Sequence, residues 1–209
     1  MSEQLGKIER PKADEFKKGR KLFFVPLIFS PPEIEAENHE MFRQYWEEAQ
    51  TQLTMLEEKL TPANKLYHEL ISDEGETGLK TIEKLNSGSY PIVRSSLDKG
   101  CELKAVEDEG LLNEFMDWGK CLAAGLHSKT VFTIAYESYI EAQKKRNERI
   151  AKQIDETLGA DESGILLIRE GHQVQFPPDI QVFYISPPAL DRIRRWFREH
   201  ETAAEEKKE

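Results

Sequence analysis

The sequence has few of the features that would assign it to a specialised class of protein. It contains two cysteines, and Cys101 and Cys121 lack the spacing of a metal site or a redox motif. No apolar run reaches the roughly 18 residues of a membrane span, and residues 1–21 lack the apolar region of a secretory signal. We therefore expect a cytoplasmic protein with two buried or half-buried thiols, no zinc site and no membrane contact.

An excess of basic charge is also missing. The formal net charge is −10, and a field of that sign repels phosphate backbones and anionic lipids. The sequence therefore argues against nucleic acid as a partner. It also lacks a glycine-rich phosphate loop, a Walker motif and a Gly-x-Ser-x-Gly elbow, so nucleophilic serine or cysteine catalysis has no support.

The chain is long enough for one sizeable hydrophobic core. It has 209 residues, and a domain commonly takes about 100 to 200 residues. We predict a single domain over residues 1–209 with flexible tails at about 1–20 and 202–209. Charged residues make up 33% of the chain, as long solvated helices require.

Three apolar runs predict buried strands. Residues 22–29 form the first, in which Pro26 predicts an edge position or a bulge. Residues 164–170 and 179–186 are β-branched and aromatic runs that are too short for helices. We predict an α/β fold with a small buried sheet of three or four strands, one N-terminal and two C-terminal. A large insert of long helices separates them, and a terminal helix follows over 189–200.

The apolar spacing in the insert is helical. From Phe42 to Leu70 it alternates between four and three, which predicts a heptad-patterned seam, with a break at Thr61-Pro62 and hence two helices in tandem. Residues 78–86, 90–100 and 101–126 are also predicted to be helical, although 90–96 has a short strand as its alternative.

A long helix is predicted from about Thr130 to Leu158, and polar residues interrupt its apolar stripe. At 100° per residue, Gln143 and Asn147 fall inside the apolar face and Arg146 lies on its margin. Two interpretations stay open: these turns present polar groups to an interior cleft, or the middle of the helix protrudes beyond the core. The stripe itself consists of Phe132, Tyr136, Ile140, Ile150, Ile154 and Leu158.

The strand over 164–170 leads into Arg169-Glu170-Gly171-His172. Ligands of open α/β sheets collect at the carboxyl ends of strands. Glu170 and His172 have the chemistry to act as base and acid, or to bind a metal through a carboxylate oxygen and an imidazole nitrogen. The alternative is a turn glycine beside a hydrogen-bonded histidine. The acidic run over 106–109 is expected to be a solvated turn or a helix start.

The segment from Arg146-Asn147 through Ile150, Ile154 and Leu158 to GILLIREGH resembles the C-terminal part of the TraB/PrgY and erythromycin-esterase-like superfamily. In that superfamily an arginine-bearing helix precedes a strand that ends in a glycine-histidine motif. The resemblance covers about 30 of the 209 residues. It implies an α/β fold and, for some members, metal-dependent hydrolysis that uses histidines and glutamates. The matching positions are Arg146, Gly171 and His172.

The chain departs from that superfamily after its first strand. The family has a second histidine there, in a Gly-x-x-His motif, whereas this chain continues into Ser30-Pro31-Pro32 and has His39 as its nearest histidine. Because of this departure, two alternatives follow from the resemblance: the chain is an active enzyme, or it is a relative that has lost the activity.

Two functions stay open from the sequence. The first is a metal-dependent hydrolase, or a degenerate relative of one, that binds a small molecule or a peptide in a pocket at the end of strand 164–170. The second is a non-catalytic protein that associates with itself or with a partner through the helix over 42–70. Neither the metal nor any other cofactor can be named. For the first function the catalytic residues would be Glu170, His172 and Arg146, and the ligand-binding residues Asn147, Gln143 and Gly171.

Overall fold

The computed structural model describes residues 18–31 and 36–206. Five strands and six helices occur in that part of the chain. The strands are β1 (Arg20–Pro26), β2 (Lys65–His68), β3 (Glu102–Lys104), β4 (Ser163–Ile168) and β5 (Ile180–Tyr184). The helices are α1 (Ala36–Lys59), α2 (Gly75–Leu85), α3 (Tyr90–Asp98), α4 (Glu109–Ala123), α5 (Lys129–Thr157) and α6 (Pro188–Glu206).

All five strands are parallel and form one sheet in the order β3-β2-β4-β1-β5. The predicted α/β class is therefore confirmed, and the predicted count of three or four strands is corrected to five. The two strands that the sequence did not indicate are β2 and β3, which span four and three residues. Because parallel strands all end at the same edge, the loops after β2, β3 and β4 converge there.

Helices cover both faces of the sheet. Alternate residues of β1 show the division, since Phe23 and Val25 belong to one apolar cluster and Leu22 and Phe24 to the other. The first cluster packs against α1, α2, α3 and α6, and the second against the C-terminal half of α5. Such burial on both faces explains why β1 and β4 are continuous apolar runs.

Of the two tandem helices predicted over 42–70, the second is wrong. α1 ends at Lys59, and residues 65–68 form β2 between β3 and β4 in the sheet. A four-residue strand is too short to display an alternation of its own, so its apolar residues continued the helical phase of α1. Residues 101–126 were likewise predicted to be helical, with a possible break at Gly110, but they contain β3 before α4. Residues 90–96, for which the sequence left a helix and a short strand as alternatives, are helical and belong to α3.

Pro26 lies at neither an edge nor a bulge, because β1 has β4 on one side and β5 on the other. The backbone N–H of Leu27 donates to Ile168 of β4, so by alternation the nitrogen of Pro26 faces β5. The pairing of β1 with β5 has already ended at Phe24 and Tyr184. The strand therefore loses no ladder hydrogen bond at its proline.

Other elements of the same chain cover the apolar seam of α1. Phe42, Trp46, Ala49 and Leu53 are all buried, and the rings of Trp196 and Phe197 on α6 lie 6.0 and 6.1 Å from that of Phe42.

Among the described helices, each is too short or too polar to cross a bilayer. α6 continues through 202–206, where a tail was predicted, and residues 1–17 and 207–209 of the predicted tails lie outside the described part.

Gly88, in the turn between α2 and α3, provides a test of this packing. A Cβ atom at this position would lie 2.1 Å from Nε1 of the buried Trp46 ring. We expect Gly88→Ala to lower the free energy of unfolding by about 1–3 kcal/mol, the usual cost of forcing an extra carbon into a packed core. Urea unfolding measures the change.

Gly171→Ala is the matched control, because an added Cβ there meets nothing within 4 Å. We expect it to change the free energy of unfolding by less than about 0.5 kcal/mol. Equal effects of the two substitutions would contradict the contact between Gly88 and Trp46.

Candidate functional site

Three charged side chains follow three neighbouring strands at the carboxyl edge of the sheet. Glu69 comes directly after β2, Glu107 follows β3 by three residues, and Arg169 comes directly after β4. Side chains of a strand alternate between faces, and Tyr67 of β2 belongs to the cluster packed on α5. Glu69, two residues later, therefore faces α5 as well.

Arg146 of α5 connects two of these strand ends. Its Nε donates to Glu107 Oε2 at 2.9 Å, and its Nη2 donates to Glu69 Oε1 at 2.9 Å and also to Glu107 Oε1. Both Arg146 and Glu107 are only 4% exposed. The Arg146 guanidinium lies 5.0 Å from the centre of the Phe115 ring on α4, within the range of a cation–π contact. We call Glu69, Glu107, Arg146 and Arg169 the buried ion network, because the first three are buried; the side chain of Arg169 is 47% exposed and closes the network from the solvent side.

Arg169 completes the network from the end of β4. Its Nη2 donates to Glu69 Oε1 at 2.8 Å, and its backbone N–H donates to Glu69 Oε2 at 2.9 Å. Burial alone would raise the pKa of Glu69, but the hydrogen bonds and charges of the two arginines hold that pKa below its usual range. Glu69 is therefore ionised at neutral pH.

The backbone at Leu70 is strained where it serves this network. Its φ of 69° lies in the left-handed region, which a branched side chain rarely adopts. The Leu70 N–H donates to Glu107 Oε1 at 2.9 Å, so the turn after β2 is tied to the end of β3. Strain of this kind persists where surrounding contacts impose it, and it is common at functional sites.

A cavity of about 240 Å³ opens beside the network, with room for roughly eight waters at their volume in the liquid. We call it the β4 pocket. Among the described residues, the side-chain amides of Gln143 and Asn147 form no hydrogen bond. The lining residues are Glu69, Phe115, Tyr139, Gln143, Arg146, Asn147, Arg169, Gly171 and His172.

His172 faces this pocket in a defined protonation state. Its Nδ1 accepts a hydrogen bond from the Val174 N–H at 3.2 Å, so in the neutral ring the proton is on Nε2. Partial burial lowers the pKa of His172, and Glu69 opposes that shift. The Phe24 and Phe176 rings pack on the imidazole with centroid distances of 5.1 and 5.7 Å. At neutral pH the ring is therefore an uncharged hydrogen-bond donor.

Glu170 lies away from the pocket. Its carboxylate accepts from Arg194 Nε at 3.1 Å and from the Tyr184 hydroxyl, and the hydrogen bond from Arg194 lowers its pKa. The structure thus places Glu170 beside β5 and α6, whereas His172, in the same turn, faces α5. The predicted pairing of Glu170 with His172 across one pocket does not occur in this arrangement.

Five of the six predicted site residues do line one pocket: Gln143, Arg146, Asn147, Gly171 and His172. Of the two interpretations of α5, the structure has its polar residues Gln143, Arg146 and Asn147 at the wall of a cavity. Sequence reasoning missed Glu69 and Glu107, because the first lay in a predicted helix and the second in a predicted solvated turn. Glu69 directly follows β2 and Glu107 lies three residues after β3, so recognising those two short strands would have revealed both glutamates.

No group of three or more His, Cys, Asp or Glu side chains suited to a metal ion occurs in residues 18–31 and 36–206. His39, the first histidine after β1 in the sequence, lines a different cavity of about 560 Å³ between α1 and the turn before α3. Trp46 and Phe42 line that cavity too. His39 and His172 therefore do not share a site.

Comparison with known proteins gives no match to this chain among protein-family models, curated proteins or solved structures. The geometry of the β4 pocket is therefore the basis for any functional assignment.

His68, buried beneath the network at the end of β2, makes stability depend on pH. Its Nδ1 contacts the Glu69 carbonyl at 2.6 Å, its Nε2 contacts Ser89 Oγ at 3.1 Å, and burial lowers its pKa to about 4. The unfolded chain takes up this proton near pH 6.5, whereas the folded chain does not until about pH 4. Its contribution to stability is therefore complete above pH 6.5 and is lost as the pH falls towards 4.

We expect His68 to account for a loss of about 2 kcal/mol in the free energy of unfolding between pH 7 and pH 5. His68→Gln keeps hydrogen-bonding groups but cannot take up the proton, so its loss over this interval should be smaller by that amount. Urea unfolding at both pH values measures it. Equal losses in the two proteins would show that His68 is not buried in its neutral form.

Proposed function

We propose that the β4 pocket is a small-molecule site, and that it is the active site of a hydrolase or the ligand site retained by a degenerate relative. The observation that carries this proposal is the buried ion network. It holds four charges at the carboxyl edge of the sheet, beside a cavity lined by polar side chains. A buried and hydrogen-bonded arrangement of this kind is costly to build for stability alone.

The network leaves the pocket rich in hydrogen-bond donors. Each oxygen of Glu69 and Glu107 already accepts hydrogen bonds from arginine or from the backbone. In the described part of the chain, Nη1 of Arg146 and Nη1 of Arg169 have no partner. A ligand with a carbonyl, carboxylate or phosphate oxygen matches these groups best.

His172 fits the same ligand chemistry. Its Nδ1 is occupied, so the Nε2–H is the group available to a ligand oxygen. In a hydrolysis reaction, donors fixed around a carbonyl stabilise the negative charge that develops on its oxygen, each by a factor of about 10² to 10³ in rate. We propose this role for His172, with Arg146 as the residue that positions the strand ends. Gln143, Asn147 and Gly171 would contact the bound molecule.

The resemblance of residues 146–172 to the TraB/PrgY and erythromycin-esterase-like superfamily suggests a metal-dependent version of this reaction. The pocket contains the residue types that the resemblance implies, namely Glu69 and His172. A cation would have to displace Arg146 or the half-exposed Arg169 from a carboxylate, and breaking the fully buried pairs of Arg146 would cost about 3–5 kcal/mol. The geometry therefore favours hydrolysis or binding with the arginines in place.

Association through the helix over 42–70 has less support as an alternative. That interpretation requires an exposed apolar seam, whereas the sheet and α6 cover most of the seam of α1.

The proposal predicts that His172→Ala removes ligand binding and activity but not the fold. We expect inorganic phosphate or acetate to raise the melting temperature of the wild type, and p-nitrophenyl acetate to be hydrolysed with a saturable rate. In the variant the affinity or rate should fall at least tenfold, which is about 1.4 kcal/mol. His172 is half-buried, so urea unfolding should change little.

His127→Ala is the matched control, since His127 is exposed in the loop before α5 and should leave binding and hydrolysis unchanged. Glu170→Gln and Glu69→Gln, assayed in parallel, separate the two carboxylates: loss only with Glu170→Gln would favour the pairing suggested by the sequence. Metal content and thermal shifts with Zn²⁺ and Mn²⁺ test the metal-dependent version. Equal binding and hydrolysis by wild type and His172→Ala would contradict the proposal.

A further inference from the structure

The hairpin formed by α4 and α5 exposes apolar side chains along most of its length. In the described stretch 112–140, only Phe115 and Ala135 are buried. Three residues of the stripe predicted to face the core are in fact exposed: Phe132, Tyr136 and Ile140 are 43% to 50% accessible. The core-facing part of α5 begins only at Ala142, so the stripe extends beyond the sheet.

Helical geometry places these three residues on the same side of the hairpin as part of α4. They recur every four positions on one face of α5, and the Phe132 and Tyr136 rings stack with centroids 6.1 Å apart. Gly119 of α4 opposes Tyr139, because a Cβ there would lie 3.7 Å from the Tyr139 ring. Helical spacing places the exposed Met116 and Ala123 on the same side of the hairpin as Gly119. We call this surface the hairpin face: Met116, Ala123, Phe132, Tyr136 and Ile140.

The size of the hairpin face suits an interface. Its four large side chains are each about half exposed, which leaves on the order of 400 Å² of apolar surface. Apolar atoms make up a little over half of a typical interface, so a matching partner would bury about 700 Å² per chain. The pair would bury about 1,400 Å², within the range of specific interfaces of about 1,200–2,000 Å².

The spacing of the hairpin face is self-complementary. Phe132 and Ile140 lie four residues before and after Tyr136. A two-fold axis at Tyr136 therefore places Phe132 of each chain against Ile140 of the other. Another segment of the same chain is a poorer match, because residues 1–17 offer only Met1, Leu5, Ile8 and Phe16 as large apolar side chains. A second copy of this chain therefore fits the surface best.

We propose that two copies of this chain associate through the hairpin face, with their α5 helices antiparallel about Tyr136. This interface differs from the seam over 42–70, which lies within the fold. It also goes beyond the proposed ligand site, because none of the five residues of the hairpin face lines the β4 pocket. Ile140 is three residues from Gln143, so the interface borders the pocket without including it.

Light scattering after size exclusion tests the association. We expect the wild type to have twice the chain mass of 24.2 kDa at micromolar concentration. Tyr136→Glu places a charge on the symmetry axis and should give the mass of one chain that still unfolds cooperatively in urea. Because association stabilises the folded chain, its urea midpoint should match that of the wild type only where dilution has already separated the wild-type pair. Met55→Glu, which alters a 50% exposed residue on α1, is the control and should remain a dimer. A monomeric wild type, or a dimer that survives Tyr136→Glu, would overturn the proposal.

Disulfide trapping in a Cys121→Ser background tests the antiparallel arrangement. Tyr136→Cys should cross-link to itself under mild oxidation. Residues eight apart are separated by about 12 Å along a helix, so Phe132→Cys should not cross-link to itself, because a disulfide requires Cα atoms within about 7 Å. A mixture of Phe132→Cys and Ile140→Cys should cross-link. Efficient self-linking of Phe132→Cys would indicate a parallel pair and contradict the proposal.

Discussion

The arrangement of the candidate site depends on the buried pairing of Arg146 with two glutamates. Glu69 and Glu107 come from the ends of different strands, and Arg146 comes from a helix on one face of the sheet. A buried carboxylate without its partner is strongly unfavourable, so each member of the set requires the others. The ion pairs therefore fix the position of α5 over the carboxyl ends of β2 and β3. They also hold Leu70 in its strained conformation between the two glutamates.

The same pairing determines the chemistry of the β4 pocket. Because the arginines and the backbone occupy the carboxylate oxygens, the pocket offers donors to a ligand and few charged acceptors. His172 adds a neutral donor, since its Nδ1 is bonded to the backbone and burial lowers its pKa. These hydrogen-bond donors are already held in place by the fold, so they need not rearrange when negative charge develops on a bound molecule. A metal site built from the same glutamates would require a different set of contacts.

Local patterns predicted part of this structure, and long-range contacts decided the rest. The periodicity of α5 indicated Gln143, Arg146 and Asn147, because the position of a residue on a helix depends only on its neighbours. Glu69 and Glu107 gave no such signal, since their partner Arg146 is 77 and 39 residues away. The sequence also predicted Glu170 in the pocket, but the alternation of a strand no longer fixes side-chain directions once the chain has turned. The short β2 was missed because its residues continued the helical phase of α1.

A double-mutant cycle between Glu107 and Arg146 tests this account most directly. Urea unfolding of Glu107→Gln, Arg146→Met and the double variant gives their coupling energy. We expect each single change to cost about 3–5 kcal/mol and the double variant to cost less than their sum by at least about 2 kcal/mol. The exposed pair Arg43 and Glu47 on α1 is the control, with an expected coupling below about 0.5 kcal/mol. Additive effects of the Glu107 and Arg146 substitutions would show that this ion pair does not organise the site.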